Sequence, residues 1–308
     1  MLVYIIFALL AFLAVVFLAV SFVFSSLILH SHRQPIVRLP DDYGLDFERV
    51  DFRSTDGLNL KGWFISGKTE KTVIITHPFP FNRHGFISKN QGPLKLFKTD
   101  VDLLKTAQAL NQAGYSVLMF DFRNHGESDS GVTGVGLNEY QDVVGAVNYL
   151  KSRLRSPIQV GFVSFCMGAN SNLVALSKAK EELADVKCVV AVQPVSASVF
   201  VRSFMRNVFT SASLMLVPVV NRMCQWRGGY ALKEMSPLKY CRDVEAPILY
   251  VQAKTDPWTE LSDIEGFYAE TSGSKELRMI DEEMGRFDAY NYIGDNPERI
   301  RTFLKQHL

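Results

Sequence analysis

Hydrophobic and polar positions follow two regimes along this chain. Leu2 to Leu29 reads LVYIIFALLAFLAVVFLAVSFVFSSLIL, 28 positions without a charged side chain. As a helix rising 1.5 Å per residue it would run roughly 42 Å, more than a ~30 Å hydrocarbon core requires. A signal peptide usually opens with basic residues, has a shorter apolar stretch and ends on small residues. Here MLVY carries no Lys or Arg, and SSLILHSHR offers no clear cleavage site. The pattern therefore predicts one transmembrane anchor over 2–29, with a buried core helix or a signal peptide as the alternatives. Residues 30–44 follow as a polar linker, in which Pro35 and Pro40 discourage regular structure.

Beyond the linker the pattern shortens and alternates. FERVDFRSTDGLNLKGWFIS has a period of two on either side of Asp56-Gly57, which predicts a hairpin. KTVIITHPF, YSVLMFDF, IQVGFVSF, VKCVVAVQPV and APILYVQAKTD are short apolar runs rich in β-branched residues, which suit buried strands. Between them lie segments of helical spacing. Leu103, Leu104, Ala107 and Leu110 form one stripe, ending near Gly114. Val143, Val147 and Leu150 form a second, GANSNLVALSKAKEEL gives another helix, and Ile300, Phe303 and Leu304 mark a terminal one. Strands alternating with helices of this length predict an α/β architecture, a mainly parallel doubly wound sheet covered on both faces. One domain over 45–308 accommodates it. Residues 196–240 interrupt the alternation and are expected to form a lid or cap, with FVRSFMRNVF as a candidate amphipathic helix or an ordinary packing segment.

Charge and cysteine usage narrow the picture modestly. The 33 basic and 32 acidic side chains nearly cancel, so the chain has no overall electrostatic footprint for nucleic acid. His30, His32, Arg33 and Arg38 follow the anchor, whereas only the terminal amine precedes it, which favours a cytoplasmic body. Cys166, Cys188, Cys224 and Cys241 show no C-x-x-C pair and no zinc-like spacing. Reduced thiols in a reducing compartment are the simpler expectation. No metal or cofactor signature is present, since GVTGVG (residues 131–136) lacks the helix-opening context of a nucleotide loop.

Four segments in register resemble the α/β-hydrolase family, particularly its serine-aminopeptidase and prolyl-oligopeptidase-like branch. VIITHPF looks like the strand and His-Gly loop that build an oxyanion hole. GYSVLMFDFRNHGESD is similar to the strand followed by Asp-x-Arg-Gly-His-Gly-x-Ser. VGFVSFCMGAN looks like the nucleophile elbow, and SPLKYCRDVEAPILYVQAKTDPWT like the approach to the acidic residue of the triad. The resemblance covers roughly residues 45–308 and implies the α/β-hydrolase fold with a small lid-like insertion.

Carried over residue by residue, the resemblance puts Ser164 and Gly168 at the two small positions of G-x-S-x-G and Cys166 at the nucleophile. Cysteine serves that role on this fold in enzymes similar to dienelactone hydrolase, although a buried cysteine is often merely a small apolar residue. The Met167 and Phe79 amides would form the oxyanion hole, with Pro78 where the family usually has glycine. Asp256 takes the acidic position, unless it is only a turn residue before Pro257. The general-base position, normally histidine, holds Arg286 in MGRFDAY. A general acid–base group typically contributes ~10²–10⁴-fold, and arginine does not give up its proton. An adjacent cation can instead favour thiolate, so the two departures are chemically compatible. His77 and His125 match structural loop residues of the family, which leaves His84 as the one alternative base. Two readings stay open. One is a membrane-anchored ester or thioester hydrolase or acyltransferase with a Cys166 nucleophile, for which the anchor and apolar insertion suggest a lipid-like acyl substrate. The other is a catalytically degenerate domain that binds a ligand or partner at the membrane.

Overall fold

A computed structural model of the chain describes residues 1–90, 97–154 and 158–308. The apolar N-terminal run is a single helix, α1 (Leu2–Leu29). The expected hairpin is β1 (Phe47–Arg53) and β2 (Asn59–Ile65), paired antiparallel around Gly57, whose φ of +92° suits a residue without Cβ. The chain then alternates through β3 (Lys71–Thr76), α2 (Leu103–Gln112), β4 (Ser116–Phe120), α3 (Tyr140–Leu154), β5 (Gln159–Phe165), α4 (Met167–Lys178) and β6 (Val186–Val192). The segment between β6 and the next core strand contains α5 (Ala197–Phe204), α6 (Val217–Trp226) and the short α7 (Leu238–Cys241). The alternation resumes with β7 (Ile248–Ala253), α8 (Leu261–Glu270), β8 (Lys275–Ile280), α9 (Arg286–Asp295) and α10 (Glu298–His307).

The eight strands form one sheet in the order β1-β2-β4-β3-β5-β6-β7-β8. β2 pairs antiparallel with β4, and every pair from β4 onward is parallel. Both faces are covered, as a parallel sheet requires when its crossovers are helical. Leu103, Leu104, Ala107 and Leu110 of α2 and Ile300, Phe303 and Leu304 of α10 bury their expected stripes on one face, beside Phe287 and Tyr290 of α9. Val143, Val147 and Leu150 of α3 lie on the other, with Leu173 of α4 and Phe267 of α8. The fold is that of the α/β-hydrolases, as the motifs had implied.

The sequence pattern did not mark α8, β8 and α9 as separate elements. β8 is an edge strand whose residues stay half-exposed except Ile280, so it lacks the apolar run of a central strand. In the insertion, α5 keeps helical spacing to Phe204, and Met205–Phe209 continues as one wider π-helical turn. The insertion packs on the end of α1. Ala197, Met205, Val217, Val220, Cys224, Leu232 and Met235 close over Leu29, with Phe24 and Ile28 against them.

Candidate active site

The site begins with a strained turn. β5 ends at Phe165, α4 starts at Met167, and Cys166 between them adopts φ +50°, ψ −112°. A residue with a Cβ reaches such a conformation only where the surroundings impose it. Here the surroundings are tight. A Cβ on Gly168 would lie 2.6 Å from the Thr76 carbonyl oxygen, and the Asn172 side-chain amide donates to the Ser164 hydroxyl at 2.5 Å. Small residues at 164 and 168 are thus required by the close approach of α4 to β3. The Cys166 amide donates to the Val192 carbonyl at 2.9 Å, and the thiol side chain is only 5% exposed.

Three positions distant in sequence converge on this turn. Asp256 follows β7, Arg286 opens α9, and Gln193 follows β6 with φ +49°. Arg286 donates through one terminal nitrogen to Asp256 Oδ2 at 2.5 Å and through the other to the Gln193 carbonyl at 2.5 Å. Gln193 Nε2 returns a hydrogen bond to the Arg286 carbonyl at 2.9 Å. The Asp256 carboxylate also accepts from the Trp258 amide at 3.0 Å. Both side chains of the ion pair are 1% exposed. Burial works against the guanidinium charge, but Tyr290, Asp256 and the Cys166 thiol outweigh it and push its ionisation well above the usual range. Arg286 is therefore a fixed cation that cannot accept a proton.

One group was not anticipated from the sequence. Tyr290, one helical turn after Arg286 in α9, is 1% exposed, and among the described residues its hydroxyl has no hydrogen-bond partner of regular geometry. Burial pushes its ionisation well above the ordinary phenol range, Arg286 opposes this, and the nearby Cys166 adds to it. The hydroxyl stays protonated, and the Cys166 side chain is the hydrogen-bonding neighbour it has. A helical reading of RFDAYNY would have placed residues 286 and 290 on one face. Gln193, in contrast, acts through its backbone and carried no side-chain signal.

The expected oxyanion donors follow β5 and β3, which are neighbours in the sheet. Met167 is the first residue of α4, and Phe79 sits in the loop after β3. Among the described residues neither amide has an acceptor. Pro78 does not disrupt the loop, because its carbonyl accepts from the Phe81 amide at 3.0 Å and contacts His77 Nδ1 at 3.0 Å. The expected alternative base does not reach the site. His84 is buried with Nε2 3.2 Å from the Pro35 carbonyl of the linker, and burial lowers its ionisation. Its ring serves linker attachment. His77 and His125 are structural. His77 Nε2 accepts from the Phe122 amide at 3.1 Å, and His125 Nδ1 lies 2.8 Å from the Arg123 carbonyl. Both terminal nitrogens of Arg286 are engaged within the fold, one by Asp256 and one by the Gln193 carbonyl.

Aromatic rings roof the site. The Arg286 guanidinium carbon is 5.6 Å from the centre of the Phe200 ring of α5, and Phe200 meets Trp258 edge-on at 5.8 Å. Phe97, Phe204 and Phe287 also pack around Trp258. The four cysteines are free and buried, and among the described residues no group of His, Cys, Asp and Glu could hold a metal ion.

Comparison with known proteins agrees with this architecture. No family model matches the chain. It is 26% identical over 297 residues to the uncharacterized protein YqkD of Bacillus subtilis (strain 168), covering 92% of this chain and 87% of that one. The esterase Pf2001 of Pyrococcus furiosus superposes with a TM-score of 0.70 at 23% identity, covering 91% of this chain and 98% of its own. The α/β hydrolase GrgF from Penicillium sp. sh18 gives a TM-score of 0.61 at 17% identity, covering 85% and 99%. These similarities establish the class by fold: this is an α/β-hydrolase-fold protein with an apolar N-terminal helix long enough to cross a membrane.

Proposed function

We propose that this protein is a membrane-anchored acyl-transfer protein that takes an acyl group from an ester or thioester onto Cys166. The observation that carries the reading is the sulfur at a strained elbow that meets a fixed cation and a protonated tyrosine hydroxyl, with the Met167 and Phe79 amides left without acceptors among the described residues. In the acylation step Cys166 Sγ attacks the carbonyl carbon, and the carbonyl electron pair moves to oxygen between the Met167 and Phe79 amides. Collapse of that intermediate breaks the bond to the leaving group, which departs with the proton that the thiol has lost. The products are an S-acyl cysteine and an alcohol or thiol. Asp256 holds Arg286 in place, and Arg286 balances negative charge on sulfur.

Release is the weak step. Hydrolysis of the S-acyl group needs water deprotonated by a base, and Arg286 cannot supply one. The protein would then acylate readily and deacylate slowly, unless a second nucleophile collects the acyl group. The closed ion pair favours a second reading, a binding domain in which Arg286 and Asp256 only brace the fold.

Intact-mass measurement on the full chain in detergent, exposed to an activated thioester, separates the two. The acyl-transfer reading expects one adduct, absent in Cys166→Ala, that persists for many turnovers' worth of time. Arg286→His should speed its release by ~10²–10⁴-fold. No adduct with any ester or thioester would leave the binding reading.

A further inference from the structure

α1 is longer than a bilayer requires, and the structure gives the surplus a purpose. Ser21, Ser25 and Leu29 are buried by the cap, and Phe24 packs edge-on against Phe209 at 5.6 Å. The Arg227 guanidinium lies 4.4 Å from the centre of the Phe22 ring and donates to the hydroxyls of Ser25 at 3.0 Å and Ser26 at 2.7 Å. Only residues 2–20 project from the body, with Phe17 alone partly covered. At 1.5 Å per residue that projection is about 28 Å, close to one hydrocarbon thickness. If α1 spans a membrane, the bilayer surface falls at the level of the cap.

The cap surface at that level has the chemistry of an interfacial contact. Trp226 is 80% exposed, Met215 72% and Phe209 44%. A groove of about 510 Å³ separates Leu18 of α1 from Val219, Arg222, Met223, Gln225 and Trp226 of α6. Residues 197–233 contain Arg202, Arg206, Arg222, Arg227 and Lys233 and no acidic residue, although the whole chain is almost neutral. Among the described residues none of these five cations is in an ion pair. An amphipathic surface of exposed aromatic and apolar groups flanked by unpaired cations suits the headgroup layer of an anionic bilayer.

We infer that the α5–α6 cap is a second membrane contact, seated in an anionic phospholipid surface. Trp226 and Met215 lie among the upper acyl carbons, and Arg222 lies on lipid phosphate. The inference rests on the anchor reading of α1. It also sets the aromatic roof of the candidate site, Phe200 and Phe204 of α5, on the element that meets lipid.

The test uses the full chain reconstituted in vesicles whose acyl chains carry bromine, with and without phosphatidylglycerol in phosphatidylcholine. Bromine should quench a fluorescence component that Trp226→Phe removes, more strongly with phosphatidylglycerol, and Arg222→Glu should abolish that difference. Alkaline carbonate washing tests the anchor separately. Release of the chain would overturn the anchor reading and this one together. Retention, with Trp226 quenched by aqueous iodide and untouched by bromine, overturns the docking inference alone. Equal quenching in both vesicle types, unaffected by Arg222→Glu, overturns the anionic part.

Discussion

Tyr290 carries the sharpest consequence at the scale of a single residue. A buried hydroxyl whose acceptor is a thiol sulfur costs stability, since it has exchanged water for a weak, poorly aligned hydrogen bond. That cost is retained beside Cys166, the side chain that the proposed acyl transfer uses. If the hydroxyl donates to negative charge on Cys166 sulfur or on the leaving group, its benefit exists only during reaction. Tyr290→Phe should therefore slow adduct formation by about tenfold, the equivalent of one such hydrogen bond. It should leave unfolding resistance unchanged or slightly raised. Stopped-flow acylation and thermal unfolding of the same variant check both halves, and a destabilised variant with unchanged acylation would make Tyr290 a plain core residue. Arg286 obeys the opposite logic. Its charge is met at both terminal nitrogens, so removing it would leave the Asp256 carboxylate buried without its partner.

At the scale of elements, the loops after β3 and β4 are held by two histidines that must remain neutral. His125 is fully buried, its ionisation is pushed down to about 4 by burial, and Arg33 pushes in the same direction. His77 is lowered well below its usual value, again mainly by burial. Both groups ionise near 6.5 in the unfolded chain, so there the unfolded state binds protons first as pH falls. Stability from these groups is complete above about pH 6.5 and is lost as pH falls below it, for His125 progressively down to about pH 4. For His125 the full loss is about 3 kcal/mol. Denaturant midpoints for the wild type and His125→Asn across that range should converge as pH falls, because the variant lacks this proton uptake. Parallel curves would mean that His125 is not buried neutral. These loops also show what the sequence disclosed. The elbow was legible because strain and close packing demand small residues at 164 and 168, and the helical stripes were legible from their spacing. The closure of Arg286 onto the Gln193 carbonyl was not legible, because a backbone acceptor leaves no mark on residue type. The same holds for His84, whose proximity along the chain to the oxyanion loop says nothing of the linker carbonyl that holds it.

At the scale of the whole molecule, α1 is divided between two environments, and stability should record where the division lies. Leu29 is fully buried in the cap cluster, and its carbonyl accepts from the Thr133 amide at 3.0 Å and the Asn124 side chain at 3.2 Å. Removing a buried leucine side chain alone costs about 2–5 kcal/mol. Val3, Ile5 and Leu9 are instead at least 56% exposed and touch no core. Their removal takes nothing from the folded body. A chain beginning at Ser21 should therefore unfold within a few degrees of the full chain in the same detergent. A chain beginning at Ser31 should lose at least the Leu29 contribution, which lowers the midpoint by about 5–15 °C. The loss should appear first in the cap, as faster amide exchange in α5 and α6 than in β5 and α4, because the central strands keep their own core. Equal midpoints for the two truncated chains would mean that α1 contributes no packing to the body and that its whole length is available to the bilayer. The predicted difference ties the apolar helix to the elements around the thiol: detachment of α1 from the cap would loosen Phe200 over Arg286 and Phe204 beside Trp258 before the sheet or the elbow yields.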